Sequence, residues 1–72
     1  LRQWLTIKDN TPKIWAVLYT KDKTGRIFKS TYRDNNNGGS PYFQLCGYVW
    51  NHDNVIEWRL YDGSEKVTGY ED

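Results

Sequence analysis

Cys46 and His52 are the only cysteine and the only histidine in this chain of 72 residues, so the usual staples of a small fold are missing. One thiol cannot close an internal disulfide, and one thiol with one imidazole cannot complete a structural zinc site. Any fold must then be held by burial of apolar surface, which is scarce in so short a domain. Leu, Ile, Val and Phe number 15, close to the level at which chains fail to fold. Rings make up the deficit. Four Trp, six Tyr and two Phe can each bury on the order of 150–250 Å². The chain is therefore read as one small domain over residues 1–72, with rings as core filler and a surplus of rings at the surface. Formation of a homo-oligomer is the other remedy for a small core.

The fold class is read as mainly β. Ala and Leu are few, helical periodicity is weak, and Asn, Gly, Thr, Tyr and Trp favour strands separated by turns. Turn signals recur at 9–12, 22–25, 34–41, 51–54 and 62–63. Between them lie four runs. Residues 14–20 are apolar on both faces and read as a central strand. Residues 26–33 follow after a five-residue loop in which Gly25 is free to take a positive φ. Residues 42–50 place Phe43, Leu45, Gly47 and Val49 on one side, with Gly47 marking a bulge or a close contact. Residues 55–61 place Ile56, Trp58 and Leu60 on one face, and the short loop 51–54 joins the last two runs as a second hairpin. The expectation is an antiparallel sheet of about four strands built from two hairpins, with room for one short helix near either end. Residues 34–41 read as a flexible loop between the hairpins, and Val67 and Tyr70 are placed to pin a last strand.

Catalysis finds little support, and the chain is read as not an enzyme. Cys46 lies between Leu45 and Gly47 with no base beside it and reads as a small buried hydrophobe. His52 adjoins Asp53 in a turn, a pairing that can orient an imidazole, but a surface turn residue is the simpler reading. Glu57, Asp53 and Asp62 are scattered without the pairing that acid/base hydrolysis needs. Gly38-Gly39 is followed by Ser-Pro and a strand, unlike a phosphate-binding loop. No cofactor, catalytic group or metal site is expected.

Binding is the better-supported class, since Tyr, Trp, Asn, Ser and Gly build adaptable recognition surfaces. The candidate surface is Trp50, His52, Glu57, Arg59 and Tyr61, together with Lys29, Tyr32 and Arg33. Rings supply contact area, Arg59 and Arg33 hold anionic groups, and Glu57 orients Arg59 or accepts a donor. The competing reading of this stripe is a solvated face with cross-strand ion pairs worth a few tenths of a kcal/mol, roughly, each. A net charge of +1 argues against long duplex nucleic acid as a ligand. No run of residues suggests a membrane span. A protein partner, a small anionic ligand such as a nucleotide, and a sugar remain open.

Two stretches carry a resemblance. Trp4-Leu5-Thr6-Ile7-Lys8-Asp9 with Pro12, followed by Val17-Leu18-Tyr19 and Gly25-Arg26-Ile27, is one. The segment from Trp50 through Asn51, His52, Asp53, Asn54, Val55, Ile56, Glu57, Trp58 and Arg59 to Leu60 is the other. Both resemble small domains of unknown function encoded by bacteriophages and prophages. Tyr61-Asp62-Gly63 departs from the Leu-Pro-Glu-Pro ending of many such domains. The resemblance implies a phage accessory protein in the host bacterial cytoplasm, and it transfers no catalytic residue. The functional expectation is a non-enzymatic binding protein that occupies a host protein or small ligand and thereby counteracts host defence. The alternatives are a nucleotide-sequestering sponge and a carbohydrate-binding or virion-structural module cut from a longer chain.

Overall fold

The computed structural model describes residues 3–45 and 47–67. Six strands, β1 (Leu5–Thr6), β2 (Val17–Lys21), β3 (Ile27–Arg33), β4 (Tyr42–Leu45), β5 (Tyr48–Trp50) and β6 (Glu57–Leu60), form one sheet in the order β1-β6-β2-β3-β4-β5. Every neighbouring pair is antiparallel. The mainly β, antiparallel class follows from the strand-forming composition as expected. The strand read as central does have a partner on each side, β6 and β3.

The β2–β3 hairpin forms where the turn chemistry placed it. The Asp22 carboxylate accepts hydrogen bonds from the backbone N–H of Thr24 (2.9 Å), the Thr24 hydroxyl (2.7 Å) and the N–H of Arg26 (3.0 Å). Gly25 takes φ +87°. Burial alone would raise the pKa of Asp22, but the hydrogen bonds from Thr24 and Arg26 outweigh it and hold the carboxyl below its ordinary value.

Two features depart from the sequence reading. The run 42–50 is not one strand. It folds on itself between Leu45 and Tyr48, which pair with each other, as do Phe43 and Trp50. Gly47 at φ +78° supplies the conformation that a two-residue turn demands. Cys46 lies outside the described residues. The turn shifts the alternation, so Tyr48 and Trp50 share the face of Phe43 and Leu45, and Val49 lies with Gln44 on the other face.

The second departure is the connection from β5 to β6. These strands are not a hairpin, because four strand spacings separate them, about 19 Å in a flat sheet. Residues 51–56 make the crossing, three of them in a 3₁₀ turn, His52–Asn54, that rises only about 2 Å per residue. The sheet must curl for so short a link to suffice. Asn51 caps that turn by accepting from the Asp53 N–H at 2.9 Å. The link crosses one face of the sheet, burying Val55 and stacking His52 on Tyr32.

That inner face is the core: Leu18, Phe28, Tyr32, Phe43, Leu45, Val55 and Trp58, with Leu5, Ile7, Ala16 and Trp50 packed against it. The Trp58 indole N–H donates to the Asn10 carbonyl at 2.8 Å, which closes the 7–13 loop over one end. Two buried hydroxyls on this face are satisfied, Thr20 to the Phe28 carbonyl and Ser30 to Thr20, both at 3.3 Å. Residues 64–67 form no strand, and Tyr70 lies outside the described residues. Residues 34–41 form a largely exposed loop in which the Asn35 side chain accepts from the Asn37 N–H at 3.0 Å.

Candidate functional site

The sheet register sorts the eight residues of the predicted surface onto two faces. Tyr32, Trp50 and His52 belong to the inner side. Tyr32 is 1% exposed, and Trp50 meets Phe28 edge-on at 4.9 Å. His52 lies beside Tyr32, with Nε2 2.8 Å from the phenol oxygen. Burial raises the Tyr32 pKa above its ordinary value. Near them Ser40, Pro41, Asn51, His52 and Asp53 line a hollow of about 310 Å³. Among the described residues no three His, Cys, Asp or Glu are grouped to hold a metal.

Lys29, Arg33, Glu57, Arg59 and Tyr61 share the outer face. Lys29 and Arg33 alternate with Thr31 along β3, and Thr31 pairs with Val17 and Gln44. Arg59 pairs with Tyr19 across β2–β6, so β2 lies between the two charged strands. Tyr61 joins them by packing on Tyr19 at 4.8 Å while its ring lies under Lys29 Nζ at 4.8 Å.

Arg59 does not offer its charge to solvent as expected. It is 6% exposed, lodged against the rings of Tyr19 (4.8 Å) and Trp4 (5.4 Å). Residues 61–67 fold back over it as a strap. Its Nη2 donates to Glu65 Oε2 at 2.8 Å and to Ser64 Oγ at 3.0 Å, and Nη1 lies 3.5 Å from Asp62 Oδ2. The Glu65 hydrogen bond raises the Arg59 pKa against the opposing effect of burial, with the Asp62 and Glu65 charges adding to the rise. Glu57 pairs with Lys21 at 3.5 Å, and Lys21 lies over Trp4 at 4.2 Å. Glu57 thus serves Lys21, and Glu65 takes the role expected of Glu57 toward Arg59.

Trp15, inside the run 14–20 that reads as a central strand, is the most exposed ring among the described residues at 64%. β2 begins only at Val17, and before it Lys13–Ala16 turns, with the Ala16 N–H donating to the Lys13 carbonyl at 3.0 Å. Trp15 and Ala16 both oppose Tyr32: the Trp15 N–H donates to its carbonyl, and its N–H donates to the Ala16 carbonyl. This bulge-like pairing holds Trp15 at φ +73°, a conformation normally left to glycine that costs about 1–2 kcal/mol. The Arg33 guanidinium lies 4.1 Å from the centre of the Trp15 ring. The signal for this was available only in part: apolar residues on both faces of 14–20 cannot reveal where the strand starts.

Val17 (40% exposed), Val49 (61%) and Tyr61 (40%) complete an apolar patch around Thr31 and Gln44. Among the described residues no carboxylate pairs with Lys29 or Arg33. The outer face therefore presents rings, β-branched side chains and two cations that no carboxylate among the described residues pairs with. A second concavity of about 510 Å³ lies at the β1–β6 end, with Leu5, Ala16, Trp58 and Leu60 among its walls. It is mainly an apolar groove.

No protein-family model, curated protein or solved structure matches the chain.

Proposed function

We propose that the chain is a non-enzymatic binding domain that docks the outer face of its sheet onto an acidic surface of a partner protein. The observation that carries this reading is Trp15. A large ring held 64% exposed in a backbone conformation that costs about 1–2 kcal/mol is not repaid by its stacking on Arg33, worth about 0.5–1 kcal/mol, and glycine there would relieve the strain. Trp, Tyr and Arg are the residues that dominate binding energy at protein interfaces. Arg33 and Lys29 supply charge at the rim, where it speeds encounter and selects partners.

The resemblance to phage-encoded domains agrees with an accessory role in which a host protein in the bacterial cytoplasm is occupied and its defence or regulatory task blocked. The stacking of Arg33 on Trp15 favours a second reading, a sponge for a nucleotide, whose base and phosphate suit a ring beside a guanidinium. The carbohydrate reading loses support because Trp50, its best ring, packs on Phe28 in the core.

Trp15→Gly tests the proposal. The variant should be as stable as the parent or more so by up to about 1 kcal/mol, since glycine fits the positive φ. A partner captured from host lysate by the parent chain should be lost from it. Retention of that same partner by folded Trp15→Gly would remove the basis of the reading. A thermal shift of several degrees with one nucleotide class, abolished in the variant, would favour the sponge.

A further inference from the structure

We infer that Arg59 is a carboxylate-binding centre within the outer face, and that Glu65 occupies it in the isolated chain where a carboxylate of an acidic partner segment binds in the complex. This rests on the reading of the outer face as a docking surface. Three observations carry it. The guanidinium is built into place, 6% exposed and held against the rings of Tyr19 and Trp4. Its occupation by the chain itself is incomplete. Nη2 donates to both Glu65 and Ser64, Nη1 is held only by the 3.5 Å ion pair with Asp62, and the buried Nε makes no hydrogen bond. A carboxylate meeting the guanidinium in a two-pronged geometry would also engage the Nε donor, which the strap leaves without a hydrogen bond.

The third observation is how the occupant is attached. Residues 61–67 contain no strand or helix, and Gly63 at φ +78° marks their bend. Asp62 Oδ1 accepts from the Ser64 N–H (2.9 Å) and hydroxyl (2.6 Å), while its Oδ2 lies 3.5 Å from Arg59 Nη1. Beyond Tyr61, this strap meets the sheet at Arg59, through Asp62, Ser64 and Glu65, and through a hydrogen bond from the Glu65 N–H to the Tyr19 hydroxyl at 2.9 Å. Displacing Glu65 leaves Arg59 next to Tyr61 and Lys29, with which no carboxylate pairs among the described residues. Such a centre fits an extended acidic segment, whose first carboxylate displaces Glu65 and whose next meets Lys29. Because only the open fraction binds, a self-occupied site shows an affinity reduced by that fraction.

The test uses the full chain and Glu65→Gln, each titrated with an oligo-glutamate peptide. The peptide affinity and the Arg59 Nε–H resonance are followed, with circular dichroism confirming the fold. Neutralising the occupant should tighten peptide binding at least tenfold and make the Arg59 resonance move on titration. Ser64→Ala, which removes only a neutral contact from the same nitrogen, should tighten it less. Equal affinities in all three chains, or an Arg59 resonance that does not respond in folded Glu65→Gln, would overturn the inference. Trp15→Gly separates this from the broader reading. If Trp15→Gly loses the captured partner while Glu65→Gln gains nothing, the docking face stands and the Arg59 centre falls. If peptide binding by Glu65→Gln responds at Arg59 while the partner survives Trp15→Gly, the reverse holds.

Discussion

On the inner face Phe28, Tyr32, Phe43 and Trp58 pack among aliphatic side chains and are at most 7% exposed, whereas on the outer face Trp15 and Tyr61 lie against cations and stay 64% and 40% exposed. The same residue class thus does two jobs, and how far each ring is covered decides which. A ring covered on all sides contributes its full area, as Phe43 does on the inner face and as Tyr19 does on the outer one, where Trp4, Tyr61 and Arg59 surround it and leave it 0% exposed. Trp15 and Tyr61 lie against a cation with part of the ring open to solvent, and such a pair is worth about 0.5–1 kcal/mol at an exposed site. The inner face should therefore govern stability and the outer face recognition, with little exchange between them.

Phe43→Ala tests the stability half most severely. The side chain is fully buried and touches Tyr32 and His52 with ring centres 5.0 and 5.7 Å away. Truncation should cost about 3–5 kcal/mol, much of what a domain of this size can have. Urea denaturation reads it, and a loss below about 1 kcal/mol would mean that the inner face is not the core that its burial implies.

Tyr32→Phe is milder and more specific. It keeps the ring and removes the hydroxyl that bonds His52 Nε2 at 2.8 Å, so the expected loss is about 1 kcal/mol. Its pH dependence has a definite sign. Burial favours the neutral phenol and raises the folded-state pKa above 10.0, so this contribution is intact below pH 10 and is lost as pH rises through the folded value. Tyr32→Phe should accordingly flatten the alkaline limb of the stability profile. A profile unchanged at high pH would show that the phenol ionises as freely in the fold as out of it.

Much of the inner face was legible in the sequence. The ring-for-aliphatic substitution, the Lys21–Gly25 hairpin and the central strand follow from composition, turn chemistry and apolarity on both faces. Gly47 reads as a bulge or a close contact within one strand, because a turn there leaves the same mark in sequence. The choice inverted the assignment of Trp50 and Tyr48. The β5–β6 link reads as a hairpin loop because Asn-His-Asp-Asn is turn-rich, and only the curl of the sheet lets it cross instead. The outer site was half legible. Alternation gave Lys29, Arg33, Glu57, Arg59 and Tyr61 one face, but nothing local showed that the strap would bury Arg59 or that a bulge would turn Trp15 outward.

The smallest expected effect on stability comes from a valine, and it divides the faces most cleanly because a second valine serves as its control. Val49 is 61% exposed beside Gln44 on the outer face, and Val55 is 2% exposed under the inner link. Val49→Glu places a charge where water already reaches and opposite a neutral amide, so stability should change by no more than about 0.5 kcal/mol. The same substitution at Val55 would bury a carboxylate without a partner and should prevent folding. For recognition the order reverses. A carboxylate at position 49 sets like charge against an acidic partner at the edge of the patch, and partner retention should fall although the fold is unchanged. If folded Val49→Glu held its partner as tightly as the parent, either the partner is not acidic or the docking patch stops short of β5. Repeating the measurement with Lys at position 49 distinguishes these, since a cation there strengthens binding to an acidic partner only if the patch reaches it.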